Sequence, residues 1–411
     1  IEQKNDISAA FYGINNCRIL DYICCWFIYG TLYIKESNAK FAFVTTNSIC
    51  QGEQVGVLWP ALLNNNVEIL FAHKSFKWSN NAKYNAGVTC VIIGVGNMDN
   101  KCPKKIFDNN HSIYVNYINP YLIPNIRTIV FRSNISPKGL PKLCFGCMPY
   151  DDKKRKHLRL DIFQKDEMIR KYPESEKFIR KIYGSEEYIN GKELYCLWID
   201  DDDIEMAESI PPIKQRIEAN RNFRLNESAD GQALAEKAHQ FREHPDDMEK
   251  IIIPSVSSEN RNYIPIGFLD NKTIVSNAAF ALYDAPSWLF GILTSAMHMV
   301  WVKTVGGRLE TRYRYSAQLC YNTFPFPKIS AAKKKEIADA AEDILVTREF
   351  HVGKTLAELY DPEKMPKDLL EAHEKLDDIV ESCYPGYPFA NDEARLECLF
   401  RMYEKMTSKK Q

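Results

Sequence analysis

At 411 residues, the chain is long enough for two or three domains, each with its own core. A hydrophobic content of 45% and a charged content of 26% are those of a soluble globular protein, and a formal net charge of −1 excludes a uniformly basic surface. Any nucleic-acid contact must therefore come from local basic patches. Twelve scattered cysteines lack the spacing of a secreted disulfide framework and point to a reducing cytoplasm.

The first residue is Ile1 rather than Met, and no charged-then-apolar signal segment follows, which reads as a chain cut from something longer. Ile19–Ile34 reads as a helix. Its 16 residues include Asp21 and fall short of the roughly 20 apolar residues of a membrane span, so a buried core helix is expected. Phe41–Thr45 reads as a strand, Glu53–Leu63 as a helix, and Val67–Ala72 and Val88–Val95 as strands. That order predicts the later part of an α/β sheet.

Between the last two strands, Phe76 and Trp78 sit in a predicted loop among Lys74, Lys77, Ser79, Asn80 and Asn81. Aromatics ringed by polar donors suit a flat, polar-edged ligand such as a nucleobase. A loop whose aromatics merely fold back onto the sheet is the alternative, and spacing alone leaves both open. Residues 101–150 read as connecting loops around short strands.

From about 150 to 225 the chain is charged and helical in pattern, with DDKKRKHLR at Asp151–Arg159 and an acidic run at Asp200–Asp203. Three strand signals lie between Lys250 and Tyr283. One helix is expected over Ala285–Val305, with Asp284 as its cap and Pro286 in its first turn. Gly306 and Gly307 then turn the chain into RLETRYRYS. Beyond Ala331 the pattern is helical, and Leu369, Leu370, Leu376, Ile379, Val380 and Cys383 mark one packed face.

The sharpest local signal is Arg308–Tyr315. Read as one strand, its alternation puts Arg308, Glu310, Arg312 and Arg314 on one face and Leu309, Thr311, Tyr313 and Tyr315 on the other. Arginine reads guanine O6 and N7, and glutamate accepts from cytosine N4, so such a face could read a C·G pair. A solvent-exposed strand with cross-strand ion pairs is the competing reading. The run Lys153–His157 with Arg159 suits phosphate contact or a solvated turn. The Asp200–Asp203 run reads most simply as a solvated loop.

Three look-alikes carry little. Cys144 and Cys147 form a C-x-x-C without a second pair at zinc spacing. Pro245-Asp246 with Glu249 and Lys250 crowds nuclease-like groups into six residues, where such groups normally sit on separate strands. Asn119-Pro120-Tyr121 has one proline and follows the sheet.

The blocks FVTTNSICQGEQVGVLWP (43–60), FAHKSFKWSN (71–80), YGSEEYINGKELYCLWI (183–199), SVSSENRNYIPIGFL (255–269), GGRLETRYRYSAQLCYNTFPFP (306–327) and LAELYDPEKMPKDLLEAHEKLD (356–377) resemble an MmeI-like DNA methyltransferase. The resemblance is to the carboxyl-terminal part of the fused type IIG/IIL restriction–modification class, of gamma-type motif order. It implies an α/β fold at residues 1–115, the later part of a Rossmann-like methyltransferase sheet. A mixed α+β target recognition domain at 116–328 and a helical carboxyl-terminal domain at 329–411 would follow.

The implied activity is site-specific transfer of methyl from S-adenosylmethionine to adenine N6, on a base flipped out of double-stranded DNA. The family's catalytic loop, Asp/Asn-Pro-Pro-Phe/Tyr, is absent from this sequence. Gly94-Val95-Gly96 ends a strand with no helix behind it. The resemblance therefore places cofactor binding and catalysis in the remainder of the same polypeptide, before Ile1, with an open sheet edge near Phe41–Thr45. This chain alone is expected to be inactive.

Asp21 resembles the segment after the catalytic loop, and Phe41–Ser48 the next strand. Phe76 matches the aromatic that stacks on the flipped base, with Trp78 as its neighbour. Glu310 and Arg312 match a variable charged pair that reads one base pair, and Arg308, Arg314, Arg261 and Lys77 are expected DNA contacts. No function is carried onto Cys147, where the pattern departs. No metal and no membrane partner are expected, and the implied location is the cytoplasm. A non-catalytic DNA-specificity module serving a separate methylase subunit, and an RNA methyltransferase with a similar sheet, stay open.

Overall fold

The computed structural model of the chain describes residues 2–78, 88–98 and 103–408. The fold divides into two compact units, Ile1–Pro137 with Ala296–Ser330 and Asp377–Gln411, and Lys138–Ser295 with Ala331–Leu376. Neither unit is one continuous stretch of sequence. Among the described residues, no single helix is long and apolar enough to cross a membrane.

The first unit opens with α1 (Glu2–Ala10), α2 (Cys24–Ile34), β1 (Lys40–Thr46), α3 (Val55–Leu63), β2 (Val67–Lys77), β3 (Thr89–Asn97), β4 (Lys104–Asp108) and β5 (His111–Val115). The strands form one sheet in the order β1-β3-β2-β4-β5. β3 runs antiparallel to β1 and β2, β4 parallel to β2, and β5 antiparallel to β4. β1 and β2 thus point the same way, joined by α3 as a crossover with β3 inserted between them. Phe41, Phe43, Ile69, Ala72, Ile93 and Val95 share one face by register. The helices cover it: Phe27 meets Phe41, Phe43 and Trp59 at 6.0, 5.3 and 6.3 Å between ring centroids.

The predicted helix Ile19–Ile34 is shorter. Helix proper begins at Cys24, because Asp21 is engaged outside it. Its carboxylate accepts from Ser48 Oγ and Gln54 Nε2, both at 2.8 Å, and its N–H donates to Gln54 Oε1 at 2.7 Å. Nor is α2 wholly buried. Phe27, Ile28 and Thr31 face inward, while Trp26, Tyr29, Leu32 and Tyr33 form an exposed outer face. β2 also outruns its prediction by five residues, from Ala72 to Lys77.

The expected helix over Ala285–Val305 is two, Ser287–Thr294 and Ala296–Val305, with Ser295 in extended conformation between them. Asp284 does not cap the first. Its φ is +49°, and its N–H donates to the Glu249 carbonyl. Pro286, also extended, takes the capping position. The first unit is completed by the helix Asp392–Ser408. There Phe400 packs on Tyr121 at 5.7 Å and on Trp301 at 5.2 Å, and Tyr403 Oη accepts from the Phe131 N–H.

The second unit holds two small sheets. One orders the strands Gly267–Leu269, Lys250–Pro254, Ala279–Tyr283 and Cys144–Phe145; the other orders Ile274–Val275, Ile179–Tyr183, Tyr195–Leu197 and Arg159–Leu160. The helix Pro211–Leu225 buries Ile213 and Ile217 against Leu197, Ile199 and Ala207. Near its end, fully buried Arg224 donates all five guanidinium N–H bonds to main-chain carbonyls. These belong to Pro149, Tyr150, Leu234, Lys237 and Gln240, at 2.7–3.0 Å.

The acidic run at Asp200–Asp203 is more than a solvated loop. Asp200 meets His244, Asp201 meets Lys237, His239 and Gln240, and Asp203 meets Lys177, at 2.7–3.1 Å. It clasps three separate segments. Asn119 is likewise structural, accepting from the N–H groups of Tyr121 and Ile123 within one turn. Among the described residues, no group of three His, Cys, Asp or Glu side chains could hold a metal.

Candidate nucleic-acid interface

Phe76 lies on a strand, not in the loop its sequence context predicts. It pairs with Cys90 of β3, and Lys77 pairs with Thr89. The β2–β3 register slips between Ile69 and Phe71 and again between His73 and Phe76. Each slip adds one residue to β2. Phe71, His73 and Phe76 consequently lie opposite Gly94, Ile92 and Cys90, all on one face of β3. Without the second bulge, Phe76 would turn to the face covered by α2 and α3.

The face it occupies is rich in flat side chains. His73 stacks on Phe107 with ring centroids 4.3 Å apart and planes 6° from parallel. Lys105 Nζ lies 4.8 Å from the Phe107 ring and 5.2 Å from that of Tyr114. Trp78 follows the strand, 44% exposed, its N–H donating to the Val88 carbonyl. Ser79, Asn80 and Asn81 lie outside the described residues.

Phe76 closes the carboxyl end of β2. The same end of β1 carries Thr46, which shares Cys90 as its neighbour on β3. Thr46 Oγ1 is 2.8 Å from Ser48 Oγ, which donates to Asp21. Burial, with the Asp21 carboxylate beside it, pushes the Cys24 thiol up to about 12. An aromatic and a polar network thus share the edge of the sheet where open α/β folds bind ligands. Sequence reading noticed Asp21 but not this network, whose members are 27 and 33 residues apart. Gly94 and Gly96 serve packing: a Cβ on Gly94 would sit 2.1 Å from the Phe71 ring, and one on Gly96 2.6 Å from Leu70.

The segment Arg308–Tyr315 is a hairpin rather than one strand, so its predicted four-residue face is corrected. Gly307–Leu309 pairs with Arg312–Arg314, Arg308 opposite Tyr313 and Leu309 opposite Arg312. Glu310 takes φ +58° at the two-residue loop, which reverses the chain and breaks the period of two. Arg308 turns inward, its guanidinium 4.1 Å from the Tyr313 ring and bonded to the Lys303 carbonyl at 3.0 Å. Burial, with Arg308 and Arg395 nearby and Asp392 opposing them, holds the Lys303 ammonium below its ordinary value. Arg312 and Arg314 are exposed on the other side, and Arg312 pairs with Glu310 at 2.8 Å.

In the second unit, Arg261 is half-buried and donates to Ser257 Oγ at 3.2 Å. Burial lowers its pKa, against the pull of Asp361.

Three family models match the chain in succession: "MmeI, DNA-methyltransferase domain" at residues 1–108, "MmeI, target recognition domain" at 124–328 and "MmeI, C-terminal domain" at 329–410. A curated relative, DNA methyltransferase A of Bacillus subtilis (strain 168), is 46% identical over 410 residues, covering 99% of this chain and 46% of that protein. A solved structure of the type IIL restriction–modification enzyme MmeI in complex with DNA superposes with a TM-score of 0.90. It shares 39% identity, over 99% of this chain and 55% of the other. The chain spans about half the length of both. The expected mixed α/β architecture with a helical carboxyl-terminal region is the one found. The models follow one another along the chain as a methyltransferase domain, a target recognition domain and a C-terminal domain of one family. The chain belongs to the MmeI family.

Proposed function

We propose that this chain is part of a site-specific DNA adenine-N6 methyltransferase of a restriction–modification system. In this reading it supplies one wall of the flipped-base pocket, the DNA sequence recognition and a helical tail. S-adenosylmethionine and the catalytic loop belong to the preceding part of the polypeptide, which would add strands beside β1. The observation that carries the reading is the bulge that turns Phe76, at the carboxyl end of β2, to the face away from α2 and α3, with Thr46 on the same face across Cys90 and bonded through Ser48 to Asp21. An extruded base needs a stacking surface and polar partners for its edge, and that end of the sheet offers both.

Support for the sheet continuing beyond β1 comes from β1 itself. It is an edge strand whose residues alternate between exposed and half-buried up to Thr45, with Val44 48% exposed. Unpaired edges of this kind invite another strand. The Glu310–Arg312 hairpin would read one base pair, with Arg314 beside it. Arg308, bonded inward, would position the hairpin rather than meet a base.

The testing experiment measures two things. Calorimetry of this chain with S-adenosylmethionine should show no saturable binding. The longer polypeptide should transfer a tritiated methyl group to adenine in duplex DNA. Saturable binding by this chain alone, or methyl recovered on cytosine, would overturn the reading.

A further inference from the structure

The longest uninterrupted run of cations in the sequence, Lys153-Lys154-Arg155-Lys156, has no part in the site described above. All four side chains are exposed. None pairs with a carboxylate among the described residues, and the neighbouring carboxylates are engaged elsewhere. Asp151 is buried and bonded to Arg159 at 2.7 Å. Asp152 Oδ1 accepts from the N–H groups of Lys154 and Arg155 at 2.7 and 2.8 Å, bonds that hold its carboxyl below the usual range.

The turn is also fixed from beneath. Arg216 donates to the carbonyls of Lys156, His157 and Arg159 at 3.0–3.3 Å. The Lys156 N–H donates to the Asp152 carbonyl, and the Arg159 N–H to that of Lys156. His157 is buried under the turn. Lys156 itself takes φ +52°, a left-handed conformation that glycine or asparagine adopts with less strain. A lysine there keeps a fourth charge where the backbone disfavours it.

Four like charges on adjacent residues repel one another, and a fixed turn denies them the freedom to spread apart. The arrangement is relieved by a polyanion with closely spaced charges. We propose that the Lys153–Lys156 turn is a phosphate anchor that grips the backbone of duplex DNA without reading its sequence. The anchor rests on the DNA-binding reading above and adds to it a second contact, in the target recognition domain. A turn whose backbone is fixed in this way offers its charges to phosphates without ordering the chain first, giving affinity and register but no base discrimination.

The test compares the full chain with the variant K153Q/K154Q/R155Q/K156Q by fluorescence anisotropy on two duplexes of different sequence, across a salt series. Each phosphate contact contributes about 0.9 to the slope of log affinity against log salt. The variant should lose up to about 3.6 of that slope and weaken on both duplexes by the same factor. The variant K153R/K154R/K156R, with the charges kept, should bind as the parent does. Matching far-UV dichroism establishes that each variant is folded.

A parent-like slope in the glutamine variant would overturn the anchor while leaving DNA binding intact. Loss of affinity on one duplex only would also overturn it, since it would show base reading. So would competition by polyglutamate equal to that by duplex of the same charge. If the parent chain binds no duplex at low salt, the DNA-binding reading falls, and the anchor with it.

Discussion

Glu310 and Arg312 form an ion pair 2.8 Å long across a two-residue hairpin loop, with Glu310 itself in the left-handed conformation. The pair is exposed and contributes little to folding, about 0–1 kcal/mol. Its two groups nevertheless hold an acceptor and a bidentate donor side by side at the hairpin tip. Exchanging them as Glu310→Lys with Arg312→Asp in the longer polypeptide should change which base pair is accepted at one position of the site. Each bidentate contact is worth about 1–3 kcal/mol of discrimination. Unchanged specificity in a methylation-protection assay would show that the hairpin tip reads no base.

Phe76 and Trp78 are separable by substitution. A base stacked on an aromatic ring gains about 1–3 kcal/mol, so Phe76→Ala in the longer polypeptide should lower kcat/KM for methylation about 5- to 150-fold. Trp78→Ala should have the smaller effect, because Trp78 lies beyond the strand. Urea unfolding measured alongside separates lost stacking from lost stability. An equal fall for both variants would move the stacking surface to the pair.

Arg224 predicts a stability effect without a charge change. Lysine has three donors where arginine has five, so Arg224→Lys leaves at least two buried carbonyls unmet. The expected cost is about 3 kcal/mol, read as a lower urea midpoint at unchanged slope. A loss below about 1 kcal/mol would mean that water replaces the missing donors.

Stability should also depend on pH through His373. Its ring is fully buried, stacked on Tyr263 at 4.1 Å between centroids. Its Nε2 lies 2.8 Å from Tyr360 Oη, which already accepts from the Arg348 guanidinium. Burial, and then Arg348, hold its pKa well below the ordinary value of 6.5. The folded state keeps the ring neutral while the unfolded chain binds a proton near pH 6.5. This contribution is therefore complete above that pH and is lost as pH falls, by up to about 1.4 kcal/mol per pH unit. His298, buried to a value of about 3, acts in the same direction. The slope of unfolding free energy between about pH 6 and 5 should fall by one proton in His373→Gln.

What the sequence made legible follows from hydrophobic pattern. The strands at Phe41–Thr45, Val67–Ala72 and Val88–Val95 are visible because one face of each is packed; β1 and β2 contain the first two, and β3 contains the third apart from Val88. What stayed hidden depends on events that carry no compositional mark. The bulge that redirects Phe76 needs no glycine. The hairpin turn at Glu310 has neither glycine nor asparagine, so counting by twos ran straight through it. Ser295 breaks the helix between Thr294 and Ala296, with neither proline nor glycine at the break. The burial of Arg224 has no mark in the sequence, because its five acceptors come from two remote stretches of chain, 149–150 and 234–240. The candidate site was half legible: the aromatics by type, the Asp21 network only from contacts remote in sequence.

The helix Asp392–Ser408 has a consequence for synthesis. Glu404 bonds to Thr128 across 276 residues, and Tyr403 closes over Phe131 in the same way. At about 5–20 residues per second, translation needs roughly 14–55 s to bridge that gap. Over this interval the Tyr121–Phe131 segment waits on the ribosome without the helix that packs on it, while Lys138–Ser295 is being made. The nascent chain therefore spends that period with the Tyr121–Phe131 segment uncovered, and chaperones that shield apolar surface should engage there first.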